Sequence, residues 1–432
     1  GELTIPGNVY IVVNAASSQC SSIKVNGNLT FTGDNTIIVN KKETKLMPGR
    51  YVIAECTGTL TATPANMLTL GLNGINYDIT IEDNKMVLTV NATRAPQKNV
   101  AWTGAESAVW DDKTDNFTIG NNPTYFVSGD EVLFGDDSTV RTITVNDLMQ
   151  TNNVTFDFDN GIYTLNGEGG LSGNGDLIKN GKGELKLNLN NSDYTGATIL
   201  NEGKLTIKNI LDGGNASPLG ASSAAEGNLQ LNGGTLAVDG SNVATDHIIT
   251  VADTSTISVV KSNMSLSLKG QVKGSGYIIK DGAGQLNFNY AGTNPFTGMI
   301  VRNGTVAQGE WNSTFGKVGG PMELAGGKVR LLDVNNSSTR PVFNHDVTVK
   351  EGTSSTIIGT TRGAVNGKFK GTGTLTIESN GVRSDIGADF SAFAGTLNVV
   401  GSNFRLMDNV TDMKQTSVKM QAGSVMSHYQ SN

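Results

Sequence analysis

Apolar and polar residues alternate over many short stretches of this chain, and a period of two predicts a succession of short β-strands. In residues 185–189 three leucines alternate with Lys186 and Asn188, and residues 203–207 follow the same pattern. Gly-Gly, Asn-Gly and Asp-Gly pairs separate these stretches, and no segment has a sustained helical period. Because a shift of one residue would exchange the two faces of a strand, we expect the three leucines to be buried and Lys186 and Asn188 to be exposed.

The short strands are parts of a longer internal repeat. Residues 173–185 return at 274–286 with glycines, apolar residues and one lysine at matching positions, and residues 371–377 form a degenerate third copy. The first glycines of the copies are 101 (274 − 173) and 97 (371 − 274) residues apart. Repeated short strands with glycine corners and no helices predict a β-solenoid, in which each coil stacks on the next one.

The alternation breaks near residues 94–98, where Pro96 cannot donate a ladder hydrogen bond. We therefore interpret residues 1–97 as the terminal part of a preceding β-solenoid or β-rich module. That module ends in a predicted hairpin of residues 77–81 and 85–90. Residues 98–432 are predicted to form one parallel β-helix with about three super-repeats of roughly 97 residues.

Composition and charge exclude several classes of protein. The chain has 432 residues, and its 54 glycines suit an architecture in which corners recur. A net charge of −7 argues against a nucleic-acid partner, because phosphate binding needs a basic surface. No apolar run is long enough to span a bilayer. The first residue is Gly rather than Met, and we expect an exported protein whose leader has been removed.

Several motifs resemble the autotransporter-associated, or passenger-associated, β-strand repeat family. They are the Trp-Thr-Gly, Val-Trp-Asp and Ser-Gly-Asp-Glu-Val-Leu-Phe-Gly-Asp elements of 102–137, and a Leu-x-Gly-x-Gly-x-Leu-x-Lys-x-Gly-x-Gly-x-Leu element with a later Tyr-Thr-Gly in 171–205. The second element returns at 272–305 and, in degenerate form, at 369–398; the resemblance covers roughly residues 100–432. It implies a right-handed parallel β-helix with glycine-rich corners on an exported bacterial surface or secreted protein. It implies no catalytic residues, because the family motif is structural.

Parallel β-helices also include polysaccharide lyases and hydrolases, whose sites need carboxylates clustered on one exposed face. The best local candidates are Asp157 and Asp159, which the alternation of residues 155–159 turns outward while two phenylalanines face the core. They are candidates for a calcium site, and otherwise no metal or other cofactor is expected. The default interpretation of both aspartates is a solvated face or an Asx turn.

Five other residues have chemistry that must be weighed against a structural role. Trp311 lies in a turn-like stretch and is a candidate for a ligand contact, with packing at a corner as the alternative. His247 and His345 occupy matching positions in successive repeats, which favours a role at a corner or edge over proton transfer. Cys20 and Cys56 are too few for a disulfide framework, and such sparse use of cysteine favours unpaired thiols.

These observations favour an all-β, non-enzymatic protein that acts outside the cell. We interpret it as an adhesin-like structural rod at the surface of a bacterium, which displays or spaces other domains of the same larger chain. Host or environmental glycans or proteins are the expected partners. The alternative is a polysaccharide-handling protein, either a β-helix lyase or hydrolase or a noncatalytic carbohydrate-binding module. A coil-aligned groove of acidic and basic groups would distinguish the alternative, and the repeats predict no such groove.

Overall fold

The computed structural model describes residues 1–14, 19–32, 35–40, 49–63, 67–70, 77–91, 94–310, 312–332, 341–359, 363–379, 383–401, 403–407, 410 and 412–429. Within these ranges the regular elements are β-strands, which confirms the all-β prediction. The same residues contain no helix that is long and apolar enough to cross a membrane. The chain forms two compact units, Gly1–Asp130 and Glu131–Asn432. The predicted module boundary near residue 97 stays a prediction.

The first unit, Gly1–Asp130, contains fifteen strands among its described residues. They are β1 (Glu2–Ile5), β2 (Val9–Asn14), β3 (Gln19–Cys20), β4 (Ile23–Val25), β5 (Asn28–Phe31), β6 (Asn35–Asn40), β7 (Gly49–Cys56), β8 (Leu60–Thr61), β9 (Met67–Leu70), β10 (Tyr77–Glu82), β11 (Lys85–Val90), β12 (Val100–Trp102), β13 (Val109–Trp110), β14 (Phe117–Ile119) and β15 (Asn122–Thr124).

Parallel coils and antiparallel strands both occur in this unit. β1–β5–β8 and β2–β6–β9 are parallel ladders, and β4 is parallel to β7. The antiparallel strands β11 and β10 then extend the sheet of β7. The predicted hairpin is confirmed, because β10 pairs with β11 from Tyr77–Val90 to Glu82–Lys85. Its turn residues Asp83 and Asn84 have φ of 47° and 58°, the left-handed values of a two-residue hairpin turn.

The second unit, Glu131–Asn432, continues with strands β16 to β48. They are β16 (Val132–Phe134), β17 (Thr142–Val145), β18 (Leu148–Thr151), β19 (Val154–Asp157), β20 (Ile162–Asn166), β21 (Gly170–Gly173), β22 (Leu177–Asn180), β23 (Glu184–Leu187), β24 (Thr198–Leu200), β25 (Lys204–Ile207), β26 (Leu229–Leu231), β27 (Thr235–Val238), β28 (Val243–Thr245), β29 (Ile249–Val251), β30 (Ser255–Val259), β31 (Ser265–Leu268), β32 (Val272–Lys273), β33 (Tyr277–Asp281), β34 (Gln285–Phe288), β35 (Gly298–Val301), β36 (Thr305–Gln308), β37 (Pro321–Leu324), β38 (Lys328–Arg330), β39 (Val342–Val349), β40 (Ser354–Gly359), β41 (Ala364–Gly371), β42 (Thr374–Ser379), β43 (Ser384–Ile386), β44 (Asp389–Phe393), β45 (Thr396–Gly401), β46 (Asn403–Leu406), β47 (Ser417–Met420) and β48 (Val425–His428).

Parallel strands of the second unit stack into three sheets, and each coil contributes strands to two or three of them. The first sheet is β16-β19-β22-β24-β26-β29-β32, and the second is β17-β20-β23-β25-β27-β30-β33-β35-β37-β39-β41-β43-β46-β48. The third is β28-β31-β34-β36-β38-β40-β42-β45-β47, and the pair β18-β21 has the same place in two earlier coils. This is the parallel β-solenoid that the repeats predict.

Equivalent side chains from successive coils form the core. Leu185 pairs in register with Leu205, and the column continues through Leu236 to Ile257, all at most 1% exposed. Aromatic residues stack in the same way in the first coils of the unit. The buried leucines of residues 185–189 confirm the predicted inward face, whereas Lys186 and Asn188, which are predicted to be exposed, are half-buried on the outer face. Because every second residue of each strand faces inward, the stacked coils share one continuous apolar core.

The internal repeat is not a whole number of coils. In-register residues Val132, Val154 and Leu177 are 22 (154 − 132) and 23 (177 − 154) residues apart, so a coil without an insertion is much shorter than the repeat. Gly173 precedes a strand of the first sheet, β22, whereas Gly274 precedes β33 of the second sheet and Gly371 precedes β42 of the third. Each copy of the repeat thus begins one sheet further around the solenoid.

Candidate functional site

The two predicted aspartates lie at a corner between the first and second sheets. Asp157 and Asp159 are exposed, and the intervening Phe158 is 1% exposed, as the alternation predicts. The backbone N–H of Asp159 donates to Asp136 Oδ2 at 2.8 Å, and Lys182 N–H donates to Asp159 Oδ1 at 3.1 Å. The bond from Asp159 N–H also lowers the pKa of Asp136. Asp136 and Asp159 therefore join the corners of three successive coils through bonds between coils, which differ from the local bond of an Asx turn.

No set of metal ligands surrounds these aspartates in the described part of the chain. Among those residues no three His, Cys, Asp or Glu side chains lie close enough together to hold a metal ion. A calcium site at Asp157 and Asp159 stays a prediction. Trp311 and the side chain of Cys20 lie outside the described residues, so the ligand contact of Trp311 and the unpaired thiols also stay predictions. Cys56 Sγ lies 3.5 Å from Gly58 O.

Both histidines are buried in the wall of the solenoid. His247 is 4% exposed and His345 is 5% exposed, and burial lowers the pKa of each imidazole. His345 Nδ1 lies 3.1 Å from the carbonyl oxygen of Gly320 in the preceding coil. Neutral, buried imidazoles with a backbone partner fit the predicted structural role better than proton transfer to a solvent-borne substrate.

Two lysines occupy core positions that the sequence pattern assigns to apolar residues. Lys179 lies in an inward column between Phe156 and Leu200, and it is 1% exposed. Lys280 lies between Ile257 and Val301 and is 0% exposed. The neighbouring Ile178, by contrast, is half-buried on the outer face. The sequence feature that could have predicted these two buried residues is the recurrence of a lysine at one position of the repeat.

The lysine ammonium groups bind the backbone of the glycine corners. Lys280 Nζ donates to the carbonyl oxygens of Asp281 (2.7 Å), Gly282 (2.8 Å) and Asn303 (3.0 Å), the last of which belongs to the next coil. Lys179 Nζ donates to Asn180 O and, at 2.6 Å, to Gly181 O. The Lys-x-Gly-x-Gly motif is thus a device that satisfies corner carbonyls from inside the core.

Burial of the two ammonium groups gives a testable pH dependence. It lowers the pKa of both Lys179 and Lys280 to about 8, whereas an unfolded lysine keeps its pKa of 10.5. Between these values the unfolded chain binds more protons, so the folded state gains stability as the pH rises. We expect the thermal midpoint, measured by circular dichroism, to increase from about pH 8 to about pH 9.5, before most tyrosines titrate. A Lys179→Met/Lys280→Met variant should lack this increase, and an unchanged pH profile in that variant would contradict the assignment.

A polar groove opens on the outer face of the second sheet. β41 pairs with β43 through its first residues and with β44 through its last ones. The register shifts between Lys368, which faces Asp389, and Lys370, which faces Ala392; it is the one such shift among the described strand pairs of the second unit. The groove has a volume of about 270 Å³. Its lining consists of Asp346, Val347, Lys368, Phe369, Lys370, Asp389, Ser391 and Ala392.

The groove collects charged groups from three successive coils. Asp346 pairs in register with Lys368, and Lys368 with Asp389, so acidic and basic side chains alternate along one outward column. The Ser391 N–H donates to Asp389 Oδ1 at 2.9 Å and, with smaller help from Lys368, lowers the pKa of Asp389. The expectation that no groove gathers titratable groups from adjacent coils is therefore wrong here. A shifted register, which breaks the repeat, is the physical reason.

Comparison with known proteins agrees with the solenoid. The family model of the passenger-associated-transport-repeat matches residues 177–207 and 278–307, the two segments that hold the buried lysines. A 155-residue stretch is 41% identical to the "Adhesin BmaC autotransporter" of Brucella suis biovar 1 (strain 1330). That stretch is 34% of this chain and 4% of the length of that relative. No solved structure matches the chain at a significant level.

The fold and the matched repeats define the class of protein: it is a parallel β-solenoid with glycine corners, built from passenger-associated-transport repeats. The matched segments and the adhesin relative make the chain similar to autotransporter passengers, in agreement with the resemblance noted in its sequence. Proteins of this type are exported, and the chain accordingly belongs outside the cell, at the bacterial surface.

Proposed function

We propose that this chain is a non-enzymatic, adhesin-like segment of a larger surface passenger. In this role the second unit serves as a stiff spacer that holds adhesive surfaces and other domains of the same larger chain away from the cell. The observation that carries the proposal is the similarity of part of the chain to an adhesin autotransporter, combined with a fold made of stacked coils.

The core supports a mechanical role. The second sheet of the second unit runs through fourteen described strands, and a rise of about 4.8 Å per strand gives this unit a length of roughly 60 Å. Each coil is hydrogen-bonded to both neighbours and shares their apolar columns, so bending the unit would separate side chains along a whole face. The first coils add aromatic stacking, with the rings of Phe134 and Phe156 centred 4.3 Å apart.

The candidate acids support a non-enzymatic role. Asp136 and Asp159 accept hydrogen bonds from backbone N–H groups at corners, and the two histidines are buried. A glycosidase or lyase needs acid–base groups that reach a substrate from a shared cleft. At Asp136 and Asp159 the arrangement closes coils, which supports a structural role for these two carboxylates.

Surface display tests the proposal directly. The 432-residue chain, fused to an outer-membrane translocator in a non-adherent bacterium, should increase attachment to host cells or to immobilised extracellular glycans and proteins. Cells that carry the translocator alone give the background. In parallel, the purified chain is incubated with uronate and neutral polysaccharides. Depolymerisation that is abolished by Asp157→Asn or Asp159→Asn would overturn the non-enzymatic role, and attachment at the background level would overturn the adhesive one.

A further inference from the structure

We infer that the groove beside β44 binds a carboxylate-bearing sugar residue of an acidic polysaccharide. The inference rests on the proposed surface-contact function and gives that function a ligand class. It concerns binding and not turnover. The residues that carry it are Asp346, Lys368, Lys370, Asp389 and Ser391.

The groove exists because the solenoid departs from its own repetition at this point. A regular parallel pair would place one residue of β44 opposite each residue of β41, but Lys368–Asp389 is followed by Lys370–Ala392. The additional residue in β44 bulges, and bulges re-aim side chains next to functional sites. A constellation found once in a repetitive rod is more informative than residues that recur with every copy, because recurring residues build corners and cores.

The lysines provide the positive side of the groove. Lys368 and Lys370 are exposed, and Lys368 lies in register between Asp346 and Asp389. Their register positions lie two residues apart on one face of β41, so both can approach a single carboxylate. The side chain of a uronic or related acidic sugar presents such a carboxylate together with several hydroxyl groups.

The aspartates provide acceptors for sugar hydroxyl groups. Asp389 is held in the charged form by the Ser391 N–H, and Asp346 lies one coil away on the other side of Lys368. A volume of about 270 Å³ is at the small end of ligand pockets and suits about one sugar ring. The floor offers no exposed aromatic anchor, because Phe369 is 1% exposed, and this disfavours a protein hot spot.

The test measures binding of an oligogalacturonate to the intact 432-residue chain by ligand-observed NMR and isothermal titration calorimetry. We expect a Kd on the order of 1 mM for such a shallow site. The same oligomer with its carboxylates reduced to alcohols should bind at least about tenfold more weakly, as should the uronate oligomer to a Lys368→Gln/Lys370→Gln variant. Lys328→Gln, at an exposed lysine of the third sheet, is the matched control and should bind like the unchanged chain.

Each outcome decides a separate statement. Equal binding of the uronate by the double variant would overturn the groove as the site, and equal binding of the reduced oligomer would overturn carboxylate recognition. If the oligogalacturonate does not bind while displayed cells still attach to host material, this inference fails and the adhesive function stands. If the oligomer binds but displayed cells do not attach, the reverse holds. Circular dichroism melts of all variants verify that the coils remain folded.

Discussion

Gly203→Ala should destabilise the second unit far more than Gly352→Ala, although the two glycines have nearly the same backbone conformation. Their φ values are +69° and +71°, so an alanine at either position meets a similar left-handed strain of about 1–2 kcal/mol. A Cβ at Gly203 would also lie 2.4 Å from Gly181 O and 2.5 Å from Gly183 O, whereas nothing lies within 4 Å of one at Gly352. We expect this clash to add about 2 kcal/mol or more.

Urea denaturation followed by circular dichroism measures both variants against the unchanged chain. The additional loss of stability in Gly203→Ala comes from one corner of the preceding coil. The clashing carbonyls belong to that corner, and Lys179 also contacts it. Equal losses of stability in the two variants would mean that φ alone explains the glycine, and that close approach between coils does not restrict this corner.

Leu187→Asp should unfold the coils around it. Leu187 is 1% exposed and lies in register between Leu165 and Ile207, so the carboxylate would enter an apolar column without a partner. Burial of an unpaired charge is among the few single changes that exceed about 4 kcal/mol. Because each coil contacts mainly its neighbours, we expect new protease cleavage sites close to residue 187, and limited proteolysis with mass spectrometry locates them.

Lys186→Asp is the matched control for this experiment. Lys186 is adjacent in sequence but lies on the outer face, half-buried, in register with Thr164 and Thr206. The same side chain introduced there meets solvent, and we expect a change within about 1 kcal/mol and an unchanged cleavage pattern. Similar cleavage of the two variants would contradict the inward and outward assignment of the strand.

Much of the fold follows from the sequence because the structure is local in sequence. A period of two assigns each leucine of residues 185–189 to the core, and the hairpin turn at Asp83 and Asn84 is visible as a polar interval between two alternating stretches. Neither conclusion requires knowledge of distant parts of the chain. The order of the coils follows from the same repetition, since each strand pairs with the next strand of its sheet. The length of a coil does not follow from it, because the repeat is not a whole number of coils.

The sequence did not predict two kinds of feature. In one a residue occupies an environment that its type usually avoids, and in the other residues from different coils come together. Lys179 and Lys280 are charged residues of a type that usually lies at the surface. Their burial is favourable only because their ammonium groups bind the corner carbonyls. Asp346, Lys368 and Asp389 are 22 (368 − 346) and 21 (389 − 368) residues apart, the length of one coil. That spacing could have indicated their alignment once the coil length was known, but the shifted register that opens the groove has no sequence motif.

The one-sheet advance of each repeat has a consequence for how such a protein can change in length. Inserting or deleting one copy of the repeat would keep the strands in stackable order, yet every surface beyond the change would turn to the neighbouring side of the rod. Such a change would therefore re-aim the groove at Lys368 relative to the coils that precede the change, without any substitution in the groove itself.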